Sequence, residues 1–235
     1  MKDNEMNLIT VCTDSYDMVY ARKIIQRFKQ VTDFNVNAYC ITDRPDEVKD
    51  ICTPIKPPFG SGRGWWNKMY FYSNDMPEGF NLYMDIDTVI IENFDEELCN
   101  MIDALYSGRS VSCVSDAIMW KNNKYSSSMM MTIRGKMQDV WEKFDNNKDK
   151  LFDYEGGDQV WTGQLLDASR VHYVDETYPK LKSNLKFHLG EKIMGQWNFP
   201  RWLPSGTKIV DCGGKPKPHE LSNLKYIKEN WHDVK

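Results

Sequence analysis

The stretch Leu82-Tyr83-Met84-Asp85-Ile86-Asp87-Thr88-Val89-Ile90-Ile91 sets two carboxylates, one residue apart, inside an otherwise apolar run. Such a run predicts a strand, Asn81 to Met84, entering Asp85-Ile86-Asp87, with an apolar continuation from Thr88 to Ile91. Acidic residues at the carboxyl end of a strand lie where open α/β sheets bind ligands. Alternate residues of an extended segment point the same way. The spacing therefore lets Asp85 and Asp87 face one hard cation, Mn²⁺ or Mg²⁺, able to bridge to diphosphate oxygens. The plainer alternative for the same residues is a polar turn between two strands.

Working back from this stretch, the first fifty residues read as strand, helix, strand. Leu8-Ile9-Thr10-Val11-Cys12 is a short β-type run closed by the polar cluster Thr13-Asp14-Ser15. Met18, Ala21, Ile25 and Phe28 recur at helical spacing, and Asn35 to Ile41 forms a second strand before Thr42-Asp43-Arg44-Pro45. This opening predicts an α/β sheet with right-handed crossovers. Ile51 to Ile55 reads as a third short strand, followed by the breaker run Pro57 to Gly64 and a helix from Trp65 or Trp66. Onward from Ile91, Phe94, Leu98, Met101, Ile102 and Leu105 mark an amphipathic helix and Ser110 to Val114 a strand. Ser127 to Ile133 is a further strand, Met137 to Phe144 a helix, and the polar run Asp145 to Lys150 a loop. Gly156-Gly157 precedes a helical pattern through Leu166, with late strands at Val171 to Val174 and Lys208 to Cys212. No internal repeat is present.

Composition narrows the class. A net charge of -4 with no basic run argues against a nucleic-acid partner. The six cysteines form no Cys-x-x-Cys pair, which disfavours a zinc ribbon or a redox motif. Met1 to Asn7 is polar, unlike a secretory signal, and no stretch reaches the ~18 apolar residues needed to span a bilayer. The expectation is a cytoplasmic protein with reduced thiols and no transmembrane segment. Gly60-x-Gly62-x-Gly64 lacks the strand context of a dinucleotide fingerprint.

With these residues in view, Tyr83-Met84-Asp85-Ile86-Asp87-Thr88-Val89-Ile90-Ile91 resembles the Asp-x-Asp signature of nucleotide-sugar glycosyltransferases of the GT-A fold. Gly64-Trp65-Trp66-Asn67-Lys68-Met69-Tyr70-Phe71-Tyr72 looks like the segment these enzymes place before the metal strand. Tyr125 to Met131 is similar to their acceptor segment, and Gly157-Asp158-Gln159 to their Asp-Gln pair. Ile209-Val210-Asp211-Cys212-Gly213-Gly214-Lys215-Pro216-Lys217-Pro218 is similar to the C-terminal His-Phe-x-Gly-x-x-Lys-Pro block of the glycogenin-like family 8 branch, and the whole resembles small viral and bacterial glycosyltransferases. Five blocks in the family's order cover most of the chain.

The resemblance implies one α/β domain of GT-A type over residues 1–235, a Rossmann-like mixed sheet flanked by helices. Its nucleotide-binding half would run to about residue 92 and its acceptor-side half from there on. It implies a Mn²⁺- or Mg²⁺-dependent transfer from a UDP-sugar to a glycan, protein or lipid-linked acceptor. Asp85 and Asp87, with Ile86 between them, would hold the cation. The family's metal-binding His is Asp211 here, and a carboxylate suits these cations, so Asp211 is the expected third ligand with His219 in reserve. Arg63, Lys68 and Lys215, and with them Lys217, would neutralise the diphosphate. Thr13, Tyr16 and Asp43 match positions that hold uracil and ribose. Asp116 is the general base if the reaction inverts, and Gln159, beside Asp158, the back-face group if it retains.

Two rivals use the same residues. Haloacid-dehalogenase-type phosphatases open with a similar Asp-x-Asp-Thr motif, but close to the N-terminus and with a later Gly-Asp-x-x-x-Asp that Gly157-Asp158 does not complete. A catalytically inactive nucleotide-sugar-binding module would keep the same pocket. A sugar nucleotidyltransferase would need a Gly-rich loop after the first strand, and Thr13-Asp14-Ser15-Tyr16 contains no Gly.

Overall fold

The computed structural model describes residues 4–13, 16–116, 122–193 and 196–234; Asp14 and Ser15 of the first polar cluster lie outside these. The chain runs β1 (Glu5–Val11), α1 (Val19–Val31), β2 (Asn35–Ile41), β3 (Thr53–Ile55), β4 (Phe80–Met84), β5 (Thr88–Ile90) and α2 (Asp95–Tyr106). Then come β6 (Val111–Ser115), β7 (Tyr125–Ile133), α3 (Gln138–Asp145), α4 (Lys148–Leu151), α5 (Gly157–Leu165) and β8 (Val171–Tyr173). It closes with β9 (Lys182–Asn184), β10 (Glu191–Ile193), β11 (Gln196–Asn198) and β12 (Ile209–Asp211).

Seven strands form a mixed sheet in the order β3-β2-β1-β4-β7-β6-β8. The strands β1, β2, β3 and β4 are parallel, whereas β7 is antiparallel to both β4 and β6. The period of two along each strand divides the core. Leu8, Leu82, Met84, Met129 and Met131 pack with α1 and α2 on one face. Ile9, Tyr83, Cys113 and Met130 pack on the other with α3 and the Ser61–Tyr72 segment. Burying a Leu, Met or Ile of this kind contributes roughly 1.5–3 kcal/mol, so both faces of the central strands resist exposure.

Several expectations shift. Thr88 to Ile90 does not extend β4: the Thr88 amide donates to the Asp85 carbonyl at 3.2 Å, and the turn sends β5 into a separate sheet, β5-β12-β9. The third strand is shorter than Ile51 to Ile55 because the Ile51 and Cys52 amides are spent on the Val48 carbonyl at 3.0 and 3.1 Å. The helix expected from Trp65 is a run of 3₁₀ turns over Ser61–Tyr72, broken at Gly64, whose φ of +43° a side chain would strain. Asn67 supports the break by donating to the Gly60 and Gly64 carbonyls at 2.9 and 3.3 Å. The expected loop from Asp145 to Lys150 overlaps α4, which runs from Lys148 to Leu151.

Candidate active site

β1 continues through α1 to β2 on one side, whereas β4 lies on its other side. The chain therefore leaves the carboxyl ends of β1 and β4 in opposite directions, which opens a crevice between them. A cleft of about 1120 Å³ occupies this position. Thr13 and Tyr16 from the end of β1, and Asp85, Ile86 and Asp87 from the end of β4, line it.

The acidic turn is held on several sides. The Asp85 amide donates to the Ser128 carbonyl at 2.9 Å, and the Cys212 amide donates to the Asp87 carbonyl at 3.1 Å. Lys68 Nζ lies 3.0 Å from Asp85 Oδ1 and 3.6 Å from Asp158 Oδ2, and donates to Ser127 Oγ at 3.2 Å. The Tyr83 hydroxyl donates to Asp85 Oδ1 at 2.8 Å. Burial works against the Lys68 charge, but Asp158 and Asp85 outweigh it and keep its pKa above the ordinary value. Burial, reinforced by the charge of Asp87, pushes Asp85 up to about 6 despite the pull of Lys68. The two carboxylates thus repel each other within one cleft wall.

The second sheet brings in the C-terminal block. β12 runs antiparallel to β5 with Asp211 opposite Thr88. Asp211 is buried against Lys182 at 2.7 Å and accepts from the Gly213 amide at 2.8 Å. Burial opposes its charge, and Lys182 with the Gly213 amide brings its pKa below the ordinary carboxylate value. Lys217 reaches Asp87 Oδ2 at 2.5 Å and donates to the Tyr16 hydroxyl at 2.8 Å. Lys215, Lys217 and His219 line the cleft, so its walls come from both halves of the chain. His219 Nδ1 is engaged by the Tyr20 hydroxyl.

Arg63 also lines the cleft, its guanidinium 4.2 Å from the centre of the Phe152 ring. Asp43 stands in an adjoining cavity of about 480 Å³ that shares Ser61 with the main cleft. The described cleft walls do not include Asp116, Asp158 or Gln159. Asp116 follows β6, its amide donating to the Lys124 carbonyl at 2.7 Å. Asp158 meets the cleft through Lys68, and Gln159 Oε1 accepts from the Ser127 amide at 3.3 Å. Lys182 carries no signal in the sequence, and Tyr83 and Trp65, though part of the family-like blocks, carry no site role there. Lys182 sits in a strand of three residues with no periodic signal, whereas the exposed Trp65 ring, lining the cleft beside a Gly turn, was a usable cue.

Among the described residues, no group of three or more His, Cys, Asp or Glu side chains is arranged to hold a metal ion. Asp211 is committed to Lys182, and His219 to Tyr20. Asp85 and Asp87 fit a hard cation as a pair, since Mg²⁺-type sites commonly use one or two carboxylates and complete the shell with water and substrate phosphates. Burial raises Asp85 first and the charge of Asp87 adds to it, and such an ion would offset that second contribution.

The sequence matches no protein-family profile and no curated protein. Solved structures are similar in fold. The bifunctional glycosyltransferase WbbM aligns at a TM-score of 0.66 with 11% identity over 99% of this chain and 50% of its own. The glycosyltransferase GlyE of Streptococcus pneumoniae TIGR4 aligns at 0.66 with 12% identity over 98% of this chain and 63% of its own. The chain thus spans half to two thirds of these two proteins. The galactosyltransferase LgtC, solved with donor and acceptor sugar analogues, aligns at 0.62 with 11% identity over 95% of this chain and 93% of its own. The seven-stranded mixed sheet with its flanking helices is the fold of the GT-A-type glycosyltransferases.

Proposed function

We propose that this protein transfers a sugar from a nucleoside diphosphate sugar, a UDP-sugar, to a glycan, protein or lipid-linked acceptor, using Mn²⁺ or Mg²⁺ held by Asp85 and Asp87. The observation that carries the reading is convergence: Thr13, Tyr16, Arg63, Asp85, Asp87 and Lys217 reach one cleft at the switch point of a glycosyltransferase fold. A divalent cation bound there neutralises charge on the departing diphosphate. Thr13 and Tyr16 form the wall for base and ribose, with Asp43 in the adjoining cavity. Arg63, Lys215 and Lys217 supply the cationic wall for the diphosphate. Lys68 is locked between Asp85 and Asp158, and holds the acidic turn in position rather than moving with the ligand. On the acceptor side, Asp116 serves as base if the reaction inverts and Gln159 as back-face group if it retains.

The test is a panel of nucleotide sugars with Mn²⁺ present or chelated, read as release of nucleoside diphosphate. The expected result is Mn²⁺-dependent release from a UDP-sugar. Turnover of a simple phosphate ester instead favours a phosphatase, and binding without turnover across many acceptors favours an inactive module. Asp87→Ala is expected to lose cation-dependent UDP binding, and with it the transfer activity, without unfolding the protein. UDP binding that survives this change refutes the cation assignment.

A further inference from the structure

Asp85 and Asp87 in the cleft wall and Asp211 on β12 each carry a lysine, Lys68, Lys217 and Lys182 in turn. Two of these lysines are built in. The buried Lys68 also meets Asp158 and Ser127, and Lys182, on the strand β9, also donates to Ser128. Lys217 differs. It stands in the run Lys215-Pro216-Lys217-Pro218 after β12, on a stretch whose Gly214 and Lys215 are exposed. Its ammonium spans Asp87 Oδ2 and the Tyr16 hydroxyl, 4.9 Å from the centre of the Tyr16 ring. Lys217 thus places its charge on the Asp87 carboxylate, the group proposed to hold the divalent ion. An ammonium and a divalent ion on one carboxylate repel each other, so the Lys217 pair weakens the hold of Asp87 on an ion.

We propose that Lys217 is an exchangeable counter-ion: it occupies Asp87 when the cleft is empty, opposes cation binding there, and is released to the diphosphate when nucleotide and cation enter together. The inference rests on the donor-site reading given above. Its flexible four-carbon stem lets the ammonium leave Asp87 without moving the backbone. In the absence of diphosphate, a cation must break the Lys217–Asp87 pair and leave the ammonium without an anionic acceptor. With diphosphate present, the displaced ammonium gains phosphate oxygens, and the cation gains ligands that complete its shell. Cation and nucleotide therefore strengthen each other's binding, and by linkage the factor is the same in both directions. Lys217 sets the size of that factor, whereas Lys68 and Lys182 stay in place.

The experiment is Mn²⁺ binding to the full chain by electron spin resonance of free Mn²⁺, with and without UDP, for wild type, Lys217→Gln and Lys217→Arg. In wild type, UDP is expected to tighten Mn²⁺ binding by at least about tenfold. Lys217→Gln should bind Mn²⁺ alone about tenfold more tightly than wild type, equivalent to ~1.4 kcal/mol, and UDP should then add little. Lys217→Arg, which keeps the charge, should stay close to wild type. Lys217 stands in a loop outside the sheets, and the melting curve of each variant checks that it folds. If Lys217→Gln binds Mn²⁺ alone no better than wild type, the counter-ion role is overturned, while wild-type binding of Mn²⁺ with UDP would leave the donor-site reading standing. If wild type binds no Mn²⁺ even with UDP, both fall.

Discussion

The region from β1 to β4 and the region from Val174 to Val234 are built on different principles. In the first, β1, β2 and β4 run for five to seven residues and alternate their side chains between two cores, and β1 is hydrogen-bonded on both edges. In the second, strands are three residues long, helical turns are three to five, and order comes from anchors to other elements. Arg27 of α1 donates to the Ile90 and Ile91 carbonyls at 3.0 and 2.6 Å and to Asn230 Oδ1 at 2.6 Å. Lys23 reaches the His232 and Val234 carbonyls, and Trp231 packs edge-on to Tyr20 with ring centres 5.3 Å apart. Lys208 pairs with the buried Glu97 at 2.8 Å. One region is held by its own periodicity, the other by what it is tied to. The cleft needs both, because the first supplies the acidic turn and the second supplies Lys217.

Substitutions can separate the two principles. The largest effect is expected for Lys68→Met, which leaves the buried Asp158 and the cleft-facing Asp85 without their shared cation; removing one partner of a buried ion pair costs about 3–5 kcal/mol. Thermal unfolding should fall by ~10 °C, with near-UV circular dichroism lost in one transition. Leu82→Ala, a fully buried side chain of β4, should cost about 3 kcal/mol through its cavity. Urea unfolding should show one shifted midpoint with unchanged slope.

Arg27→Ala sharpens the contrast. It removes three hydrogen bonds that bind α1 to β5 and the C-terminal turns, at a cost of about 2 kcal/mol. Hydrogen exchange should rise over residues 225–234 well before it rises in β1 and β4. Equal loosening of both regions would mean that the C-terminal segment unfolds only with the sheet, and the contrast would fail. The smallest effect is expected for Arg22→Ala, which opens an exposed pair with Asp50 at 2.6 Å and a hydrogen bond to the Glu47 carbonyl and should barely move the denaturation midpoint. A clear loss of stability by denaturant titration would show that this surface pair orders more than itself.

The same contrast explains what was legible beforehand. Asn35 to Ile41 could be bounded to the residue because its strand is long, apolar within and closed by Thr42-Asp43-Arg44-Pro45. The strand ending at Met84 was readable for the same reason. β9 was not, since Lys182-Ser183-Asn184 is polar and owes its strand geometry to pairing with β12. The cationic end of the site shows the limit most clearly. Lys215-Pro216 and Lys217-Pro218 are tandem Lys-Pro pairs, and spacing alone left both open. Both lysines line the cleft, but Lys217 is the one ion-paired with Asp87.

By itself the sequence determined the α/β order of the first half, the strand that delivers Asp85 and Asp87 to a sheet's carboxyl edge, and the absence of a nucleic-acid signature. These follow from hydrophobic period and charge, which are properties of neighbouring residues. Only the tertiary structure decided that Thr88 to Ile90 leaves the main sheet, that Asp211 faces Lys182, and that Lys217 lies on Asp87. Those outcomes join residues more than a hundred positions apart, or only 29 apart for Asp211 and Lys182 but on different strands. Which lysine meets which carboxylate is set by strand pairing and burial, where desolvation makes an unpaired charge costly, and no local pattern encodes it.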